Sequence, residues 1–287
     1  MKVIFVNWTK PTSSSEANIL MQKASIISAK KYTGLPIKLY TDTNGYEEFK
    51  KNGILELVDE VDTELLNSLD FVNGDQFWTS GKIISICNEE PPFIFMDLDL
   101  ILKSELPKWI YDYDLVHTHW EIIRGEYYIT NNMLDEFRLN IPDFSEKMLI
   151  PNTSFLYIND KKITEKYLEY HLEIVNKKYD SVPKWLWLMS DQNILGYIVR
   201  KLNSNVSQID GRVYVQYSDT HLSLGLPGHT PPWVNIGDHL TYNQPILNYE
   251  HVWFNKMILM DDNEYKLEKE AEWTKMVDEY NYNKSVI

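Results

Sequence analysis

Apolar and polar positions along this chain alternate between two periods. Residues 2–7 (Lys-Val-Ile-Phe-Val-Asn) and 37–42 (Ile-Lys-Leu-Tyr-Thr-Asp) are short runs of strand-former type that end in polar side chains. Between them, residues 17–32 carry apolar side chains at helical spacing. Residues 13–16 (Ser-Ser-Ser-Glu) signal the start of that helix, and Gly34-Leu-Pro stops it. Residues 54–58 read as a short third strand, and residues 77–87 as a helix ending before Pro91-Pro92. An apolar run from Pro92 to Met96 reads as a buried strand, with a second apolar run at 100–102. A short helix over 106–111, strands over 115–120 and 151–159, and a helix over 161–179 follow. Ser190-Asp191-Gln192-Asn193 reads as an N-cap cluster for a helix over 194–201, and 206–217 is strand-like. Residues 125–151 look like an irregular insertion, and 218–245 like a lid or an acceptor-binding loop. Residues after 262 read as a polar helical tail with Glu/Lys pairs. Strands alternating with helices predict an α/β fold, with a mixed, mostly parallel central sheet flanked by helices.

Length and composition narrow this picture. A chain of 287 residues with 44% hydrophobic content can bury one large core. It shows no repeat and no low-complexity linker, so a single domain over 1–287 is expected, with a core to about 256 and a tail over 257–287. A formal net charge of -14 argues against nucleic-acid partners and against a polybasic membrane anchor. Cys87 is the single cysteine, so no intramolecular disulfide can form, which suits a reducing compartment. The first apolar run is too short for a signal peptide, and no stretch is long enough to span a bilayer. A soluble, cytoplasmic protein is the expectation.

Candidate chemistry centres on Asp97-Leu98-Asp99, at the end of the run over 92–96. In a strand, side chains at i and i+2 share a side, so both carboxylates can project together. They repel one another and are costly to bury alone. A divalent cation removes that problem, and oxygen ligands suit Mg²⁺ or Mn²⁺. Asp-x-Asp also arises by chance in an acidic chain; Asp112-Tyr-Asp114 is a second copy, read as turn chemistry. Lys82 is either a solvated helix lysine or a phosphate contact. Asp191 is a helix cap, a carboxylate at the floor of a sugar site, or both. His117 and His119 would share a strand face, facing sugar or acceptor or merely making the strand polar. Asn7-Trp8-Thr9 closes the first strand at its carboxyl end, where open α/β sheets bind ligands.

Together these residues resemble GT-A glycosyltransferases, nearest the glycogenin-like and lipopolysaccharide galactosyltransferase family. Phe95-Met96-Asp97-Leu98-Asp99 resembles that family's DxD strand, with Lys82 as the donor-contacting base ahead of it. The segment over 152–159 resembles its Asn-Ser-Gly strand, with Ser154 where the family has Gly. Asp191-Gln192 resembles its Asp-Gln pair, and His251 with Lys256 its late His…Lys element, the lysine one residue early. The resemblance implies a Rossmann-like nucleotide-diphospho-sugar transferase fold. It implies transfer of a sugar from a nucleotide-diphosphate donor, a UDP-hexose foremost, to a carbohydrate or other hydroxyl acceptor, with retention. Mn²⁺ or Mg²⁺ would sit on Asp97, Asp99 and His251. Asp191 and Gln192 would flank the transferred sugar. Asn7, Trp8, Thr9, Thr41, Lys82, Asp97, Asn152 and Lys256 would bind the nucleotide sugar. The rival readings are a binding protein that kept the fold without turnover, and a phosphatase with an Asp nucleophile.

Overall fold

The computed structural model describes residues 1–10, 18–124, 150–177, 189–210, 213–217, 220–223, 247–252 and 263–286. The chain runs β1 (Val3–Asn7), α1 (Ile19–Thr33), β2 (Ile37–Thr41), α2 (Thr43–Lys51), β3 (Glu60–Asp62), α3 (Glu64–Asn67), α4 (Ser80–Asn88), β4 (Phe93–Met96) and β5 (Leu100–Leu102). It continues through β6 (Leu115–His117), β7 (Trp120–Arg124), β8 (Ile150–Pro151), β9 (Phe155–Ile158), α5 (Lys161–Val175) and α6 (Ile194–Lys201). Last come β10 (Val206–Gln208), β11 (Val213–Tyr217), β12 (Thr220–Ser223), β13 (Tyr249–His251) and α7 (Asn263–Val286).

Seven strands form the main sheet in the order β10-β6-β9-β4-β1-β2-β3. Among the described residues of this sheet, only β9 runs against its neighbours, pairing antiparallel with both β4 and β6. Side chains of successive residues go to opposite faces, and both faces are covered. Ile4, Phe93, Phe95, Leu156 and Ile158 point to the layer of α4, α5 and α6, where Ile83, Ile86, Ile163, Tyr167 and Ile198 meet them. Val3, Phe5, Ile94, Met96, Phe155 and Tyr157 point the other way, onto Ile26, Ile27 and Ala29 of α1 and Phe49 of α2. That is why these strands read as continuous apolar runs: a sheet with helices on both faces has no wet side. Each fully buried Ile or Phe contributes about 1.5–3 kcal/mol.

Several expectations change. Residues 54–58 do not form a strand. Ile54 and Leu57 are buried three residues apart, the spacing of the 3-10 helix seen over Leu55–Leu57, and the strand is Glu60–Asp62 at the sheet edge. The Ser-Ser-Ser-Glu signal lies outside the described residues; Asn18 caps α1, its side chain accepting from the amide of Met21. Asp42, read as the end of a strand, caps α2 by accepting from the amide of Gly45. Residues 115–120 split between two sheets: His117 pairs with Gln208 and Leu156 in the main sheet, whereas Trp120 pairs with Val213 and Pro151 in a four-stranded sheet, β12-β11-β7-β8. Residues 206–217 split the same way. Most of the insertion over 125–151 and of the loop over 218–245 lies outside the described residues.

The tail is more than a solvated helix. Trp273 of α7 is fully buried against Met21 and Ala24 of α1, Ile101 of β5, and Val252. Around it, Lys103 and Lys269 each pair with both Glu250 and Glu272 at 2.8–3.0 Å. Among the described residues no helix is long and apolar enough to cross a membrane.

Candidate metal and donor site

Three backbone devices assemble the site. The first is the end of β4: the strand stops at Met96, and Asp97 to Leu100 make a turn closed by the amide of Leu100 on the carbonyl of Asp97, at 3.1 Å. Asp97 and Asp99 therefore project from a turn, not from one face of a strand as the i, i+2 reading assumed. Buried Ser25 of α1 fastens this turn from below, its hydroxyl donating to the carbonyls of Leu100 (2.6 Å) and Asp97 (3.2 Å). The second device is β9, whose antiparallel register with β4 sets Asn152-Thr153-Ser154 beside that turn; the amide of Asp97 donates to the carbonyl of Ser154 at 2.8 Å. The third is a two-stranded ladder. β13 pairs antiparallel with β5, His251 opposite Leu100, and the amide of Val252 donates to the carbonyl of Asp99 at 2.9 Å.

The ladder places His251 Nε2 3.6 Å from Asp99 Oδ1. One ligand atom from each of Asp97, Asp99 and His251 lies within 4.8 Å of the others. Two ligands about 2.0–2.4 Å from a shared ion stand at most about 4–5 Å apart, so the three fit one small divalent cation. Two carboxylates and an imidazole are ligand types that divalent cations accept.

Lys82, on the first turn of α4, reaches into the same cluster. Its ammonium stands 3.2 Å from Asp97 Oδ1, 3.9 Å from Asp191 Oδ2 and 3.0 Å from the Thr153 hydroxyl. Burial opposes its charge, yet Asp191 and Asp97 outweigh burial and hold its pKa above the ordinary lysine value. Burial pushes the Asp97 carboxyl up; Lys82 pulls against that, while Asp99 pushes the same way as burial. Among the described residues, three carboxylates, Asp97, Asp99 and Asp191, gather around the Lys82 ammonium.

Asp191 is not a helix cap. It lies in a π-helical turn, Met189–Asn193, that runs straight into α6, and Asn193 has helical angles with no capping bond. The buried Asp191 carboxylate accepts from the hydroxyls of Thr153 and Tyr167, both at 2.9 Å. Gln192 stands beside it with its carbonyl oxygen buried and without a hydrogen bond. Trp8 packs against Gly81, where a Cβ would come within 2.8 Å of the indole, so strand β1 ends next to Lys82. Asn7 Nδ2 and Trp8 Nε1 are buried donors without hydrogen-bond partners. Thr9 bonds the Asp42 carboxylate through both its amide and its hydroxyl.

Other expected contacts are not brought to an open face. Thr41 is fully buried, packed under the start of α2. Asn152 is turned inward, its amide spent on Glu121 and Ser154. His117 and His119 do not face solvent: both are buried, His117 edge-on to Trp120 and donating to the carbonyl of His119. Lys256 lies outside the described residues. Thr153 and Tyr167 went unread in the sequence. Thr153 sits inside the Asn-Thr-Ser segment and had a signal, whereas Tyr167 is one of 19 tyrosines and had none.

The chain is similar to solved glycosyltransferase structures at a distance. The PaToxG glycosyltransferase matches at 14% identity and a TM-score of 0.41, over 70% of this chain and 69% of that one. Apo mouse xyloside xylosyltransferase 1 matches at 12% and 0.35, over 73% and 84%. The apo glycosyltransferase GlyE of Streptococcus pneumoniae TIGR4 matches at 17% and 0.37, over 70% and 43%. Likeness this remote says nothing about chemistry. No curated protein matches. A family model described as a family of unknown function, DUF6734, matches residues 13–209, from before α1 to the end of β10. On that match, the chain belongs to family DUF6734.

Proposed function

We propose that this protein is a divalent-metal-dependent glycosyltransferase of GT-A type, moving a sugar from a nucleotide-diphosphate donor, foremost a UDP-hexose, to a hydroxyl acceptor with retention. The observation that carries this reading is the meeting of Asp97, Asp99 and His251 at the carboxyl edge of the sheet, with Lys82 and Asp191 alongside. When bound, Mn²⁺ or Mg²⁺ supplies positive charge where a leaving diphosphate becomes more negative. Lys82 adds a fixed ammonium at the same place, already held by Asp97 and Thr153. Asp191, fixed by two hydroxyls, would offer its carboxylate to an oxocarbenium-like centre of the transferred sugar. Gln192 offers an unspent carbonyl oxygen beside it. Asn7, Trp8 and Thr9 would border the nucleoside, with buried donors on Asn7 and Trp8 that a base or ribose oxygen would satisfy. The phosphatase reading gives His251 no role, and its place 3.6 Å from Asp99 speaks against it.

A panel of nucleotide-diphosphate sugars in a thermal-shift assay, with and without Mn²⁺, tests this. One donor should raise the melting temperature only when Mn²⁺ is present; at a hundred times Kd the gain is about 2.7 kcal/mol. That donor should then be hydrolysed slowly. Binding without hydrolysis or transfer would leave the inert binding protein, and no response to any donor would overturn both readings.

A further inference from the structure

A chain of buried hydrogen bonds runs from the interior to His251, and its donors and acceptors admit one direction only. It starts at Glu121, which receives His119 Nε2 at 3.1 Å and Asn152 Nδ2 at 2.7 Å on the same oxygen. A carboxylate only accepts, so the NH₂ side of Asn152 faces Glu121. The other end of that amide is fixed independently: the backbone N–H of Ser154, which only donates, points at Asn152 Oδ1 at 3.1 Å. The Ser154 hydroxyl lies 2.6 Å from the same Oδ1 and must donate to it. Its one proton is then spent. Thr118 Oγ1, which accepts from the amide of Phe155 at 2.8 Å, donates its own proton to Ser154 Oγ at 2.7 Å. What remains on Ser154 Oγ is acceptor capacity, and His251 Nδ1 stands 3.5 Å from it.

We infer that Ser154 is a positioning residue that holds His251 as the Nδ1–H tautomer when a divalent ion is bound, leaving Nε2 bare for the ion it would share with Asp99. The inference rests on the metal reading above and adds how the third ligand is made ready. A ligating imidazole needs a lone pair on the metal side and a proton on the other nitrogen, and the partner of that proton sets ring orientation and metal affinity. Glu121, Asn152 and Ser154 are all buried, so water does not compete for these bonds. Glu121 acts from two links away: it is the acceptor that keeps the Asn152 amide from turning over.

Two measurements test this. The first is ¹⁵N NMR of histidine-labelled protein loaded with Mg²⁺, which leaves the histidine signals unbroadened, at a pH where imidazoles are neutral. The wild-type protein should show His251 protonated on Nδ1, whereas an Nε2–H tautomer overturns the inference without any variant. The second is Mn²⁺ calorimetry on Ser154→Ala and Glu121→Gln, neither of which alters a ligand. Both should bind Mn²⁺ about 10- to 100-fold more weakly than wild type, with melting curves showing that they fold. If folded variants bind as tightly as wild type, the inference falls. If wild type binds neither Mn²⁺ nor Mg²⁺, the metal reading falls and the inference falls with it.

Discussion

Asp191 shows what one carboxylate can reveal. It is buried, caps nothing, and takes hydroxyls from two different elements, Thr153 before β9 and Tyr167 on α5. Asp191→Asn keeps an acceptor oxygen for those hydroxyls but loses the charge that faces Lys82. Turnover should fall by orders of magnitude in a donor-transfer assay, while urea unfolding moves by no more than about 1–2 kcal/mol. Asp99→Asn belongs to the other half of the site and should abolish Mn²⁺ binding by calorimetry with the fold retained; unchanged binding would sink the three-ligand assignment. At this scale the sequence was informative where chemistry is local. Asp97 and Asp99 announce themselves because paired carboxylates after a core strand need a reason to be there. Tyr167 does not, because a tyrosine becomes functional only through what the fold sets beside it.

Among the elements, α7 has the clearest energetic role. Its mean pattern is polar, yet it closes a small core with Trp273 and carries Glu272 and Lys269 into a ring of ion pairs with Lys103 and Glu250. Glu250 adjoins His251, so the helix also braces the strand bearing the third proposed ligand. Trp273→Ala should cost about 3–5 kcal/mol in urea unfolding, and the surviving folded protein should bind Mn²⁺ more weakly. If stability drops and Mn²⁺ affinity does not, the helix supports the core without bracing the ligand. Strand and helix types were legible wherever a run was long and periodic, as in β1, α1 and β4. They were misread where four or five apolar residues could satisfy either period, as over 54–58, or where one run changes sheets at a bend, as at Thr118 and His119. Those outcomes depend on pairing partners distant in sequence.

Across the whole molecule, buried histidines set an acid limit. Burial lowers His171 to about 3, and burial together with His119 takes His117 well below its ordinary value. Both are thus neutral in the native state, whereas the unfolded chain takes up a proton at each below about pH 6.5. Stability is therefore complete above that pH and falls as pH drops through it. Each group removes about 1.4 kcal/mol per pH unit, or about 2 kcal/mol between 6.5 and 5. Urea unfolding at pH 7 and pH 5 should show the sum, and His171→Gln should remove about half of it; an unchanged slope in that variant would refute the assignment. The α/β architecture itself was readable from alternation alone. The burial of particular polar side chains was not, because a histidine in a strand looks the same whether its face meets water or Trp120.

The β5–β13 ladder joins residues separated by roughly 150 positions, and loops of that length close late in folding. The meeting of His251 with Asp97 and Asp99 is therefore expected among the last features a refolding chain acquires. A late-forming contact governs how the native state is lost rather than how fast it is reached. Mn²⁺ should accordingly slow unfolding in stopped-flow denaturant jumps while leaving the refolding rate nearly unchanged. The same delay means that a chain still being synthesised, with residues 97 and 99 emerged but residue 251 not, has only two of the three side chains proposed to hold the ion.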